Sequence, residues 1–417
     1  MQNLVGNVST AARLLPRIDG EALMIKRGKG ACLWDVHDRR YIDTAMGFGA
    51  VLVGHAEDSI NDALIEALRD GANLSWSHRR EHEAASLLAT CTGELNKVIF
   101  VNSGSEAVHL ACRAARAFTG KSRIAKAAGG FDGWFDGVTL GNVKTPEAAF
   151  THRDARPSEG GFTLFRYNDA DDLERLFAAH DDIAAVLIEP VLANAGCIQP
   201  AEGYLERVRN IAHRHGALLI CDEVLMGFRL HPGLTSHRMG IRPDIATVGK
   251  AIGNGAPVAA VVSTADIFES FEQNRTLRGG TYSGNPLAAQ AVMTTIKALR
   301  VADYDALMQR GARLMAGIKA AFSREGLAVC FSGYGNVFTL WPGEQVPDTY
   351  LASQQVADAD FSRDLHLALR REGVLTMPSP WGRMFLSFRH SDDIIAEMLP
   401  AFERAAASLA ASGRPAP

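Results

Sequence analysis

Two short apolar runs, residues 217–221 (ALLIC) and 244–248 (DIATV), each end beside a charged group that could do chemistry. The first stops at Asp222 and Glu223, the second at Gly249 and Lys250. Short apolar runs bounded by turn residues read as buried parallel strands rather than as half-exposed ones. Such strands offer their carboxyl ends to a shared crevice, where open α/β sheets bind ligands. A carboxylate and a lysine therefore arrive at one place. A structural Asp–Lys ion pair is the plainer alternative.

A chemistry that needs this pair is that of pyridoxal 5'-phosphate. A lysine joins that cofactor as a Schiff base, and a carboxylate keeps its ring nitrogen protonated so that the ring accepts electrons. The sequence offers a place for the phosphate. Ser103, Gly104 and Ser105 stand between a strand-like run and an amphipathic helix, where free N–H groups, hydroxyls and the helix dipole favour an anion. Ser105 also reads simply as a helix cap. Phe131, flanked by glycines just after a strand, could lay an aromatic face on a heterocycle or sit in the core.

The elements needed to position these residues follow from the rest of the chain. From residue 97 to 300, strand-like runs alternate with helical ones. That rhythm predicts an α/β fold with a mostly parallel sheet flanked by helices. Residues 1–50 read as an N-terminal arm plus part of a smaller unit, 51–300 as the large cofactor-binding domain, and 301–417 as a small α+β domain. Residues 142–161, rich in charge, Pro and Gly, read as a long loop that covers a site. Residues 384–388 read as a strand. His78 and His82 have the i, i+4 spacing of a metal pair, but no third ligand accompanies them and no metal is expected.

Composition narrows the class. The chain has 417 residues, 47% hydrophobic and 22% charged, with a formal net charge of −4. That is an ordinary enzyme composition, with no basic surface for nucleic acid or an anionic membrane. The six cysteines are scattered without a CxxC pair, as expected of small core residues in a reducing compartment. The first residues lack the apolar core of a signal peptide, and no run is long enough to span a bilayer. A cytoplasmic protein is expected.

The ordered succession FVNSGSEA, GGFDG, IEPV, CDEVLMGFR, GK and GGTYSGNP resembles the class-III aminotransferases of the aspartate-aminotransferase fold (fold type I), in particular the glutamate-1-semialdehyde aminomutase branch. The resemblance runs from about residue 9 to the C-terminal helix. It implies that Lys250 carries the cofactor and moves the proton, that Asp222 pairs with the ring nitrogen, and that Val224 and Phe131 cover the ring's two faces. It also implies a phosphate site at Gly104 and Ser105, and Asn194 near the phenolic oxygen with Glu189 in support. Thr281 would reach the phosphate in the neighbouring subunit, making an obligate homodimer with shared sites. Arg13 would grip a substrate carboxylate, an exposed surface arginine being the plainer alternative, and Trp76 and Arg383 would line the same pocket.

The sequence also departs from that pattern. Asp132 stands where the family usually has histidine, and Phe131 lacks the usual tyrosine hydroxyl. Gly382 falls where the aminomutases carry glutamate, and the 138–163 segment lacks their Gly-Ser-Gly lid. These departures favour an ordinary transaminase that releases its keto product, using a small amino donor and a carbonyl acceptor. An intramolecular aminomutase, an epimerase on the same fold, and a scaffold protein that has lost catalysis are the alternatives.

Overall fold

A computed structural model describes residues 3–143 and 161–412. Three strands open the chain: β1 (Ile25–Lys29), β2 (Cys32–Asp35) and β3 (Arg40–Asp43). The central part supplies β4 (Lys97–Val101), β5 (Arg123–Ala127), β6 (Phe162–Phe165), β7 (Ile183–Ile188), β8 (Leu218–Asp222), β9 (Ile245–Val248) and β10 (Ala259–Ser263). The last strands are β11 (Val329–Tyr334), β12 (Val337–Pro342), β13 (Val374–Leu375) and β14 (Arg383–Phe385).

The central seven form one sheet in the order β4-β10-β9-β8-β7-β5-β6. Strands β6, β5, β7, β8 and β9 run parallel, whereas β10 lies antiparallel to both β9 and β4. The apolar runs are explained by burial on both faces. In β8, Leu218 and Ile220 enter one core and Leu219 and Cys221 another. In β7, Leu187 goes to the first and Val186 and Ile188 to the second. No alternation can appear in a strand covered on both sides. The parallel strands end at their carboxyl edge with Glu189 just after β7, Asp222 closing β8 and Lys250 just after β9. That edge is where the sequence placed the chemistry.

The helix Gly104–Thr119 buries Ala107, Val108, Leu110, Ala111, Cys112, Ala114 and Ala115 against this sheet. Its row of alanines lets the helix lie close to the strands, which brings its N-terminus up to the carboxyl edge. Outside the main sheet, β13 pairs in parallel with β3 to complete a four-stranded sheet, and β11, β12 and β14 form a three-stranded antiparallel one. The expected strand over 384–388 ends early. After Phe385 the chain leaves the ladder: Leu386 N donates to Asn336 O and Phe388 N to Leu52 O. Most of the loop expected over 142–161 lies outside the described residues.

Candidate active site

The pocket at the carboxyl edge is a cavity of about 240 Å³. Lys250 lines it, in a backbone conformation (φ 43°) that L-residues rarely adopt. Such strain typically costs about 1–3 kcal/mol and persists where the surroundings impose it. Lys250 Nζ makes no hydrogen bond or ion pair among the described residues. Burial, then the nearby guanidinium of Arg383, pushes its pKa down to about 8. Near neutral pH an appreciable share of this amine is therefore unprotonated, as a nucleophile requires.

Asp222, also in the pocket, is pinned through one oxygen. Its Oδ1 accepts from Val224 N at 2.9 Å and from Thr247 Oγ1 at 2.9 Å, which leaves Oδ2 available. Burial, followed by Asp132 and Glu189, holds its pKa well above the usual carboxylate range. A cation placed against Oδ2 would lower it again. The residues present thus fit a protonated ring nitrogen.

They also fit a phosphate. Ser103 caps the helix Gly104–Thr119, its Oγ accepting from Glu106 N at 3.3 Å. The N–H groups of Gly104 and Ser105, in the first turn, find no acceptor among the described residues. A Cβ on Gly104 would lie 2.9 Å from Val224 Cγ1, so a larger residue there would push the Val224 side chain aside. Ser105 Oγ accepts from Trp134 N at 3.2 Å, tying the cup to the segment that carries Phe131. Phe131 and Val224 both line the pocket, and Phe131 is 46% exposed.

Glu189 organises one wall. Its Oε1 accepts from Phe131 N at 3.1 Å and Asn194 Nδ2 at 3.0 Å, and its Oε2 from Ala193 N at 3.1 Å. Arg383 stands behind that wall, with Nη1 donating to Asn194 O at 3.0 Å and a buried Nε that has no partner among the described residues. A larger depression of about 640 Å³ near Glu344, Asp358 and Asp360 shows no comparable convergence of groups.

The pocket therefore brings together Ser103, Gly104, Ser105, Phe131, Asn194, Asp222, Val224 and Lys250. It does not include Thr281, Trp76, Arg13 or Arg383, the last of which sits behind its wall. Thr281 and Trp76 share a separate surface cleft, where Asn73 Nδ2 donates to Thr281 O at 3.2 Å and Trp76 is 85% exposed. Arg13 is exposed at the end of a short 3-10 turn, Ala11–Arg13. His78 caps a helix by accepting from Glu81 N, and His82 Nε2 meets Ser77 Oγ. Among the described residues no group of side chains could hold a metal ion. Sequence reasoning missed Lys126, a buried lysine 3.1 Å from Asp132. The signal was a lysine set among the apolar residues of β5.

A doubly covered, mostly parallel sheet with a lysine, a carboxylate and a helix N-terminus at its carboxyl edge is the architecture of fold type I pyridoxal-phosphate enzymes. Residues 17–405 match the family described as aminotransferase class-III. The chain belongs to that family and is a pyridoxal-phosphate-dependent enzyme. It is 34% identical over 417 residues to a glutamate-1-semialdehyde 2,1-aminomutase of Thermomicrobium roseum, covering 97% of this chain and 95% of the relative. Its fold superposes on a transaminase with the cofactor bound (TM-score 0.85, 25% identity, 99% and 96% of the two chains). It also superposes on a β-phenylalanine aminotransferase from Variovorax paradoxus (TM-score 0.84, 30% identity, 96% and 90%).

Proposed function

We propose that the enzyme moves an amino group between separate molecules, from an amine or an ω- or β-amino acid to a keto acid or aldehyde. The observation that carries this reading is the pair Gly382–Arg383. A Cβ on Gly382 would come within 2.5 Å of Met377 O and 2.7 Å of Ser379 O, so no carboxylate fits where the aminomutases carry glutamate. The next residue instead sets a buried guanidinium with a spare Nε beside Asn194. A cation with unused donors favours a substrate carboxylate. The likeness to a β-phenylalanine aminotransferase, whose name denotes a carboxylate-bearing amine, supports the same reading.

In this reading each residue has a definite task. Ser103, Gly104 and Ser105 hold the phosphate, and Phe131 and Val224 confine the ring. When bound, pyridoxal phosphate supplies a ring that stabilises negative charge at the carbon next to the amine. Asp222 keeps the ring-nitrogen proton in place, itself fixed by Val224 N and Thr247 Oγ1. Lys250 would hold the cofactor, and its amine, when free, would move the substrate proton. Glu189 holds Asn194 at the pocket wall, and Arg383 behind that wall adds positive charge toward a substrate carboxylate.

The test is product stoichiometry with the acceptor withheld. Transfer between molecules should release one keto product per Lys250 site and stop, resuming when a keto acid or aldehyde is added. The second reading, favoured by the aminomutase relative, is intramolecular transfer. Sustained conversion of glutamate-1-semialdehyde to 5-aminolevulinate without any acceptor would establish it in place of the first.

A further inference from the structure

Four neighbouring strands of the main sheet each bring a charged side chain to the carboxyl edge: Lys126 on β5, Glu189 after β7, Asp222 on β8 and Lys250 after β9. Three of them line the pocket, and Lys126 does not. Its side chain is 0% exposed, with Nζ 3.1 Å from Asp132 Oδ2 and 3.3 Å from Gly130 O. Asp132 is equally hidden from bulk solvent, its side chain 2% exposed, yet it does line the pocket. The segment around it is tied to the site on both sides. Phe131 N donates to Glu189, and Trp134 N donates to Ser105 in the phosphate cup.

This arrangement poses an electrostatic problem. The charged residues lining the pocket are Asp132, Glu189 and Asp222 against Lys250 alone. Asp132 is felt at both other acids and contributes, after burial, to the raised pKa of each. By formal charge an anionic cofactor entering such a pocket meets more carboxylates than cations, and the strain already shows in the resistance of Asp222 and Glu189 to ionisation. Arg383 lies on the far side, against Asn194.

We infer that Lys126 is a positioning residue of the cofactor site, whose ammonium cancels the charge of Asp132 and so lets the Phe131–Trp134 segment bring a carboxylate into a pocket built for a phosphate. The segment keeps its hold on the cup and on Glu189 while the pocket's net negative charge falls by one. Lys126 acts through Asp132 and does not touch the cofactor. This inference rests on the placement of the cofactor at Lys250 proposed above.

The experiment compares holoenzyme carrying Lys126→Met, Asp132→Asn and both changes together. Cofactor affinity is read from the absorbance of bound pyridoxal phosphate on serial dilution. Lys126→Met leaves Asp132 unpaired and should weaken retention by about ten-fold or more. The double variant should stay within about three-fold of the parent, and Asp132→Asn, which leaves its unpaired charge outside the pocket lining, should lose clearly less than Lys126→Met. An ion pair with only a structural role predicts that breaking it from either side weakens retention alike. Equal losses in the two single variants, unchanged retention in Lys126→Met, or no recovery in the double variant would each overturn the inference. If Lys126→Met does not fold, the other two decide. Parent-like retention in the double variant supports the inference, and a ten-fold loss in Asp132→Asn overturns it. Borohydride reduction and peptide mapping separate this result from the reading beneath it. An adduct on any lysine other than Lys250, Lys126 included, would fault the placement of the cofactor itself.

Discussion

Lys250 is held in a setting that opposes its own charge, and this has a consequence for the cofactor-free protein. Its folded pKa is about 8, below the ordinary lysine value of 10.5, because of burial and then Arg383. Unfolding therefore takes up a proton between these two values, so stability rises with pH across that window and is lowest below it. Lys250→Met should raise the melting temperature of cofactor-free protein at pH 7. The advantage over the parent should shrink as pH climbs from 8 towards 10.5. A difference independent of pH would show that the amine is not held against its charge. Lys250 and Asp222 were legible in the sequence because each directly ends an apolar run. Lys126 was not, since a lysine within RIAKA reads as the solvent side of an edge strand. The side chain is instead covered, with Nζ turned to Gly130 O and Asp132 Oδ2 in the segment that follows β5. The setting of Arg383 was hidden for another reason: its neighbours Ala193 and Asn194 are remote in sequence.

The helix Gly104–Thr119 serves two ends with one terminus. Ser103 Oγ satisfies Glu106 N, which is structural, while the N–H groups of Gly104 and Ser105 stay free for an anion. The two roles separate experimentally. Ser103→Ala should lower the stability of cofactor-free protein by about 1 kcal/mol, the usual worth of an N-cap. Any further loss in the holoenzyme measures the hydroxyl's contribution to the cofactor. Thermal melts with and without pyridoxal phosphate check this, and an unchanged cofactor-free melt would contradict the cap. Element identity was largely readable here. Residues 217–221 and 244–248 became β8 and β9 within a residue, because runs buried on both faces have sharp ends at charged groups. Strand direction was not readable. β10 is as apolar as its neighbours, and nothing in such a run encodes that it lies antiparallel.

At the scale of the molecule, the described chain leaves two groups of expected site residues apart. The pocket at Lys250 contains the residues proposed to hold the phosphate and the ring, while Thr281 and Trp76 share a different cleft. We propose that a second copy of the chain unites them, each subunit's Thr281 serving its partner's site. Mixing Lys250→Ala with Thr281→Ala protomers tests it. Each parent should be impaired, but a mixed dimer concentrates both lesions in one site and leaves the other intact, so activity should return on subunit exchange. No recovery despite demonstrated exchange would mean that each site is complete within one chain. Thr281 was singled out by its motif, yet a sequence cannot say which copy of a residue fills a site. The proposed boundary near residue 300 has a similar limit. β3 and β13 pair across most of the chain, which no local pattern announces.

The place of β10 in the sheet bears on how the protein is made. β4, which leads into the phosphate cup, ends at Val101, but its neighbour β10 begins only at Ala259. A chain leaving the ribosome N-terminus first therefore carries β4 with a bare hydrogen-bonding edge throughout the synthesis of β5 to β9. Until β10 is inserted, the segment that carries Ser103, Gly104 and Ser105 is not joined through the sheet to the strand that leads to Lys250. Both are joined only once the residues of β10 have been made.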